Sequence, residues 1–321
     1  MFETRLTELI GTEYPIIGGA MGGISTGEFT AAVSNAGGLG LIASLLGRTH
    51  NEKALRRLIR NCRSLTDKPF GVNIPIIVLA PETVNAYIDC CVEEGVEVVE
   101  TAGQNPKPYA ERIKKAGLIW LHKAATVRHA QSAERAGVDA VVMVGWETAG
   151  FTGLDGLGLS VLIPLVRDAL SIPVIAAGGV ADGRGFAGLL ALGADGVQVG
   201  TVLMATKESH AHPRFKEWVL QARANETTHI ERSLGTPYRV LKNPAVEEIL
   251  EMERRGTSFE ETMKIRMRMP RMLMGGDLDA APVACGQVVG LVKDIVTVKE
   301  VIDRIVGEAS NIVKELAANR G

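Results

Sequence analysis

Short apolar runs recur along the chain, and each is followed by a segment with the spacing of an amphipathic helix. The runs are nearly continuously apolar, which is typical of parallel strands that are buried on both faces. They lie at 14–21, 38–44, 70–76, 96–103, 118–124, 140–145, 172–179 and 196–201. Helical patterns separate them, at 27–37, 51–62, 82–95, 105–117, 126–137, 159–170 and 185–194. Eight such units in about 200 residues predict an α/β fold of the (β/α)8 TIM barrel type, with a doubly wound sheet as the alternative.

The pattern changes after the eighth apolar run. Residues 208–287 are richer in charge, contain no strand-like run and show helical patterns at 213–224, 245–256 and 258–269. We interpret this part as a small helical insertion, a candidate lid over a substrate. The long amphipathic segment 298–318 then predicts the last barrel helix. The expected domains are therefore a barrel of residues 1–207 plus 288–321 and an insertion domain of residues 208–287.

Composition narrows the class of protein. The chain has 321 residues, is 46% hydrophobic and carries a net charge of −2, so nothing indicates binding to nucleic acid or to an anionic membrane. No apolar stretch is long enough for a membrane span, and the first residues lack the apolar centre of a signal peptide. Four cysteines without CxxC spacing predict reduced, buried thiols in a cytoplasmic protein. We expect no metal site, and we assign His210 and His212 to a helix start or a domain junction.

Glycines follow the seventh and the eighth apolar run. In a barrel of this type ligands lie at the carboxyl ends of the strands, and phosphate groups often bind after strands seven and eight. Gly178 and Gly179 follow the seventh run, while Gly200 and the hydroxyl of Thr201 follow the eighth. These positions predict a phosphate site, with simple turn formation as the alternative.

Other strand ends carry residues that suit a flat, polar-edged ligand. Asn73 places an amide in the third run, and Met21 places a soft side chain at the end of the first. Lys123 is a cation inside an apolar run and needs a partner, either an anionic ligand or a structural ion pair. His122 should point to the opposite face of that strand. A phosphorylated, flat ligand with polar edges matches FMN.

Several blocks of the chain resemble the nitronate monooxygenase and 2-nitropropane dioxygenase-like flavoproteins. GWETAGFTG (145–153) matches, ADGRG (181–185) and LGADGVQVGT (192–201) are specific, and matching segments cover almost the whole chain. That group also holds NADH:quinone reductases, the branch nearest to this chain, and flavin-dependent enoyl-acyl-carrier-protein reductases. The resemblance implies a barrel that binds FMN beneath a small helical domain. It places FMN contacts on Gly19, Ala20, Met21, Asn73, Lys123, Ala149 and Gly150, and the phosphate on Gly178, Gly179, Gly200 and Thr201.

Two positions depart from the family pattern. Ala20 stands where the family usually has Pro, and Phe151 stands where it usually has His. In the nitroalkane-oxidising members that His is implied as the base that removes a proton from carbon, a contribution worth on the order of 10²–10⁴ in rate. Phe151 cannot act as a base, so no catalytic residue is assigned. We expect Phe151 and Met21 to line the substrate pocket, where the phenyl ring suits stacking, or Phe151 to pack under the insertion.

The sequence therefore predicts an FMN-dependent oxidoreductase with NADH or NADPH as co-substrate. It would pass hydride through the flavin to a small molecule, a quinone-like or other flat acceptor. The alternatives are a nitronate monooxygenase acting on nitronates, an enoyl-thioester reductase, a flavin-binding protein with little turnover, and a non-flavin aldolase with a Schiff base on Lys123. The methionine-rich segment 267–276 is a candidate lid lining or subunit contact, so assembly into a homo-oligomer is an open alternative.

Overall fold

Eight parallel strands form a closed barrel in the computed structural model, which describes residues 2–45 and 51–318. Each lies inside one of the predicted apolar runs, and the first pairs with both the second and the last, so the predicted (β/α)8 barrel is confirmed. The barrel strands are β1 Ile16–Gly18, β2 Leu39–Ala43, β3 Phe70–Pro75, β4 Val98–Ala102, β5 Ile119–Ala124, β6 Ala140–Val144, β8 Val174–Ala177 and β9 Gly196–Val199; the short strand β7 Gly150–Phe151 lies outside the barrel.

Helices surround the barrel and alternate with its strands. The long helix α13 packs against α8 and α2 and closes the outer ring, as the amphipathic segment predicted. The N-terminal helix α1 instead packs under the barrel, where its apolar face joins the inner core. These helices are α1 Arg5–Ile10, α2 Gly27–Asn35, α3 Glu52–Arg63, α4 Pro81–Glu93, α5 Ala110–Lys115, α6 Val127–Ala136, α7 Leu159–Ala169, α8 Gly183–Ala191 and α13 Val298–Ala318.

The interior of the barrel has an apolar lower part and a polar upper part. Residues two apart on a strand share a face, so Val98 and Glu100 of β4 both point inward, as do Leu121 and Lys123 of β5. Inward-facing apolar residues form one cluster with the underside helix, consisting of Leu6, Ile10, Ile17, Leu39, Leu41, Val98, Leu121, Ala140, Val142, Ile175 and Ala177. The barrel is therefore plugged at its base, and polar chemistry is confined to the carboxyl ends of the strands.

The insertion contains strands as well as helices, so the expectation of a purely helical insertion was wrong. Its strands β10, β11 and β12 form an antiparallel sheet that also takes in β7. Each has four residues or fewer, too short for a reliable alternating pattern. Its elements are α9 Pro213–Gln221, β10 Thr227–Ile230, β11 Tyr238–Leu241, α10 Pro244–Arg255, α11 Phe259–Arg266, α12 Met269–Leu273 and β12 Val283–Ala284, with 3-10 turns at Lys107–Tyr109, Thr201–Leu203, Ala224–Glu226 and Gln287–Leu291.

The insertion has an apolar cluster of its own, and the boundaries at 208 and 287 stay a prediction. The cluster joins β10 and β11 to helices α10 and α11 through Ile230, Val240, Ala245, Val246, Ile249 and Ile265.

All four cysteines are buried free thiols, as expected. Within residues 2–45 and 51–318, no helix has the length and apolarity to cross a bilayer, and no cluster of His, Cys, Asp or Glu has metal-binding geometry.

Gly40 tests the close packing of helix α2 on strand β2. A Cβ at Gly40 would lie 2.1 Å from the carbonyl oxygen of Thr30, so the backbone would have to move. We expect Gly40→Ala to lower the free energy of unfolding by about 3 kcal/mol or more, the upper range for overpacked cores. Gly188 of α8 has no atom within 4 Å of such a Cβ, and Gly188→Ala should raise stability by about 1 kcal/mol. Urea unfolding of both variants makes the comparison, and similar effects at the two sites would contradict this packing.

Candidate active site

A fully buried carboxylate lies at the mouth of the barrel. Glu100 of β4 is 0% exposed; its Oε1 accepts a hydrogen bond from Nδ2 of Asn73 and its Oε2 accepts one from Nε2 of Gln198, both at 2.6 Å. The ammonium Nζ of Lys123 lies 3.5 Å from Oε1. Because β4 and β9 are fourth and eighth in a ring of eight strands, the Gln198 bond spans the barrel. We call Asn73, Glu100, Lys123 and Gln198 the polar layer.

All the side-chain partners of Glu100 are donors or cations. Two amide nitrogens donate hydrogen bonds to its oxygens and an ammonium lies at ion-pair distance, so each of these neighbours favours negative charge on the carboxylate. The ion pair with Glu100 supplies the partner that Lys123 needs. Lys123 is still 23% exposed, so part of its side chain remains open to a ligand.

Sequence reasoning placed Asn73 and Lys123 at the site and missed Glu100 and Gln198. The available signal was a carboxylate inside the apolar run 96–103, the same type of signal that identified Lys123. Gln198 carried no comparable signal, since its role depends on a partner across the barrel.

His122 lies on the outer face of its strand, as predicted, and takes no part in the polar layer. Its Nδ1 is 2.8 Å from Oγ1 of Thr101, which accepts a hydrogen bond from Nε1 of Trp120 at 2.9 Å. Burial lowers the pKa of His122 to about 4, so the ring is neutral near pH 7. Its role is to join β5 to β4 beneath the surrounding helices.

The predicted phosphate positions come together at neighbouring strand ends. Gly178 and Gly179 follow β8 with φ of +107° and +67°, a region that favours glycine, and Gly200 follows the adjacent β9. A Cβ at Gly178 would lie 2.8 Å from the Cβ of Thr148, so no side chain fits there. The Thr201 hydroxyl already accepts a hydrogen bond from the Gly286 amide at 3.0 Å. The structure thus provides a cradle of bare backbone, and its use for phosphate stays a prediction.

The segment after β1 borders the same rim. The amide of Gly19 donates to the carbonyl oxygen of Val199 at 2.7 Å, and a Cβ at Gly200 would lie 3.7 Å from Sδ of Met21. Ala20, where the family pattern has Pro, is partly exposed between them. These contacts place Gly19, Ala20 and Met21 beside the glycine cradle.

The loop after β6 leaves the barrel and joins the insertion. Glu147 caps the start of α7, its Oε1 accepting a hydrogen bond from the amide of Leu159 at 3.0 Å. Ala149 is partly exposed, and Gly150 turns the chain with φ of +77°. Gly150 and Phe151 then pair with β11 of the insertion sheet. The loop that carries the predicted FMN contacts Ala149 and Gly150 is thus fixed at both ends.

Phe151 belongs to an aromatic cluster between this loop and the insertion. Its ring meets that of Tyr238 edge to face, with centroids 4.8 Å apart. The guanidinium of Arg266 lies 3.8 Å from the Tyr238 ring centre and 5.4 Å from that of Phe151, and it pairs with the fully buried Glu231 at 2.9 Å. The interpretation that Phe151 packs against the insertion is therefore correct. Phe151 is still partly exposed, so a role in the substrate pocket stays a prediction.

His229 lies beside the loop of Phe151 and already contacts Thr152 and Trp146. Nε2 of His229 is 3.1 Å from Oγ1 of Thr152, and its ring stacks on Trp146 with centroids 4.0 Å apart. Burial, followed by the charges of Arg239 and Arg232, lowers the pKa of His229 to about 4. We therefore assign His229 to packing of the loop.

The methionine-rich segment partly covers the rim of the barrel. A Cβ at Gly23, after β1, would lie 2.6 Å from Cδ1 of Leu273 and 4.0 Å from Sδ of Met269, so α12 packs against this loop. Met267 and Met274 are more than half exposed and do not pack there. At the start of the insertion, Nδ1 of His212 accepts a hydrogen bond from the Arg214 amide at 3.2 Å, the helix-start role expected of it, and its own amide donates to the carbonyl oxygen of Leu273 in α12 at 2.7 Å.

Comparisons with known proteins agree with this architecture. A family model described as nitronate monooxygenase matches residues 3–308. The chain is 33% identical to the (3aS,4S,5R,7aS)-5-hydroxy-7a-methyl-1-oxo-octahydro-1H-indene-4-carboxyl-CoA dehydrogenase of Rhodococcus jostii, over 99% of this chain and 98% of that protein. It is 30% identical to a probable nitronate monooxygenase of Staphylococcus aureus, over 78% of this chain and 81% of that one.

Solved structures show the same similarity. FabK from Thermotoga maritima has a TM-score of 0.91 and 38% identity, covering 99% of this chain and 100% of that chain. A nitroalkane oxidase from Streptomyces ansochromogenes has a TM-score of 0.84 and 26% identity, covering 98% and 100%. The alignments with FabK and with the nitroalkane oxidase both extend over nearly the whole chain, so they include the barrel and the insertion.

Gly178 offers a test of the glycine cradle with a matched control. If the predicted phosphate site is correct, we expect Gly178→Ala to weaken FMN binding at least tenfold, because a side chain would displace the backbone that is predicted to face the phosphate. Gly193 also has a left-handed φ, +102°, and a Cβ there would lie 3.0 Å from Arg167, at the far end of the barrel. Both substitutions should cost about 1–3 kcal/mol of stability, but Gly193→Ala should leave FMN affinity unchanged. Titration of FMN fluorescence with each variant measures the two affinities. An equal loss of FMN affinity in both variants would contradict the assignment of Gly178 to the phosphate site.

Proposed function

The chain belongs to the nitronate monooxygenase family, and from that premise we propose that it is an FMN-dependent oxidoreductase. It would take hydride from NADH or NADPH and deliver it to a flat conjugated acceptor, an enoyl thioester or a quinone, with a proton from solvent completing the reduction. The observation that carries this proposal is Phe151, which places an aromatic cluster at the position where the family pattern has a base. Hydride transfer to a conjugated acceptor does not require a base at that position, whereas proton removal from a neutral nitroalkane does.

The residues at the mouth of the barrel fit FMN. The amides of Gly178, Gly179 and Gly200 would hold its phosphate on bare backbone, with Thr201 beside them. The polar layer offers amide and ammonium donors for the edge of the ring, through Asn73, Gln198 and Lys123. Further contacts would come from Gly19, Ala20 and Met21 on one side and from Ala149 and Gly150 on the other. When bound, FMN supplies the redox chemistry by accepting and donating hydride.

The protein would supply orientation and exclusion of water. Phe151 and Met21 would offer an apolar surface against which a flat acceptor can lie, while α12 covers the rim beside β1. The pairing of β7 with β11 fixes Phe151 at the boundary between loop and insertion. A rigid pocket wall of this kind favours reaction by holding the acceptor in one position.

Among flat acceptors the comparisons favour a thioester. The relative from Rhodococcus jostii is named for a carboxyl-CoA substrate, and it matches this chain over nearly its full length. The flavin-dependent enoyl-acyl-carrier-protein reductases, one branch of the flavoproteins that the sequence resembles, also act on thioesters. The quinone acceptor is supported by the sequence resemblance only, so an enoyl thioester is the first acceptor to test.

Nitronate oxidation is the second candidate. It is supported by the family itself and by the relatives named probable nitronate monooxygenase. A nitronate has already lost its carbon-bound proton, so Phe151 is compatible with this substrate as well. A neutral nitroalkane would still need the missing base.

Anaerobic reduction of the FMN-loaded protein tests the leading proposal. We expect NADH or NADPH to bleach the flavin absorbance in stopped flow, because the site would orient a nicotinamide against the cofactor. An enoyl-CoA or a quinone should then restore the absorbance faster than air does. If neither nucleotide bleaches the flavin but a nitronate does, the reductase proposal fails and the monooxygenase is favoured. A protein that takes up no FMN would favour the aldolase alternative.

Phe151→His tests the role of the missing base. We expect this variant to oxidise a neutral nitroalkane on the order of 10² times faster than the wild type, since it gains a general base. Its rate with the corresponding nitronate should change much less. Phe151→Leu serves as the control, because it removes the ring without adding a base. Oxygen uptake with both forms of the substrate gives the rates, and a wild type that oxidises the neutral form as fast as the nitronate would contradict this account.

A further inference from the structure

The polar layer contains a charged group that cannot itself reach a ligand. We propose that Glu100 is a positioning residue that holds Lys123, Asn73 and Gln198 in place and balances the charge of Lys123 beside the cofactor ring. In this way it sets the reduction potential of the cofactor. The inference rests on the proposed FMN site and concerns the tuning of that site.

The geometry gives Glu100 an indirect role. Its side chain is completely buried, and its two oxygens are taken by Asn73 and Lys123 on one side and by Gln198 on the other. Its partners reach closer to the surface, with Lys123 the most exposed at 23%. Glu100 therefore acts on a ligand through the side chains that it orients.

Charge balance makes the prediction specific. The ionised carboxylate and the ammonium cancel, so the polar layer as a whole is neutral. Interactions between charges are strong in the barrel interior, where water is excluded. Reduction of bound FMN adds negative charge, so a positive layer favours the reduced form and a negative layer opposes it. Glu100→Gln should make the potential more positive, and Lys123→Gln should make it more negative.

The potentials of FMN-loaded wild type, Glu100→Gln, Lys123→Gln and the double variant test this inference, each measured by equilibrium reduction against a reference dye. We expect each single substitution to change the two-electron reduction equilibrium at least tenfold, about 30 mV, in opposite directions. The double variant should return toward the wild type. Single variants that bind FMN but keep the wild-type potential, or that shift it in the same direction, would overturn the inference.

The double variant also covers the case in which Glu100→Gln fails to fold. Removing both members of a buried pair leaves no unpaired charge and is tolerated better than removing one. The potential of the double variant must then be more positive than that of Lys123→Gln. An equal or lower potential would overturn the proposal.

Asp195→Asn is the matched control. Asp195 is a largely buried carboxylate that pairs with Arg5 at 2.6 Å, next to the amino end of β9 and away from the mouth. Its substitution should lower stability without changing the flavin potential or spectrum, and a shift as large as that of Glu100→Gln would overturn the specific role of Glu100.

A wild type that takes up no FMN would overturn the proposed function and this inference together. FMN uptake with unshifted potentials would overturn this inference alone.

Discussion

The burial of the Glu100 carboxylate is the constraint on which the arrangement of the site depends. A charge inside a protein costs several kcal/mol unless partners compensate it. Its partners come from β3, β5 and β9, so they assemble only when the barrel is closed. The complete polar layer therefore exists only in the closed barrel. The apolar cluster below keeps this charge at the mouth of the barrel, where a ligand can use it.

A second buried ion pair lies within the insertion, beside the loop that joins the insertion to the barrel. Arg266 pairs with Glu231 and covers the rings of Tyr238 and Phe151, so it links the insertion to the loop that carries the predicted FMN contacts. At position 151 the chain has a phenyl ring packed against the insertion, where the family pattern has a histidine. That exchange directs the proposed chemistry toward hydride transfer, in which the protein orients the reactants and supplies no base.

The sequence predicted the parts of this structure that depend on local pattern. Buried parallel strands are continuously apolar, so all eight were recognisable, and alternation along β5 correctly separated His122 from Lys123. The glycines of the cradle were recognisable because they follow strand ends. Gln198 was missed because its importance comes from a contact across the barrel, which only the closed ring reveals. Glu100 was missed although a carboxylate inside the apolar run 96–103 is the type of signal that identified Lys123. The insertion sheet was missed because its strands are short and pair with distant segments, such as β7 with β11.

A crystal structure of the protein with FMN would test the central claim most directly. This account predicts that the ring lies against the polar layer, with Lys123 and Asn73 at its polar edge, and that the phosphate contacts the backbone of Gly178, Gly179 and Gly200. Phe151 should lie beside the ring without a hydrogen bond to it. An FMN bound elsewhere, or a ring that makes no contact with the polar layer, would contradict it.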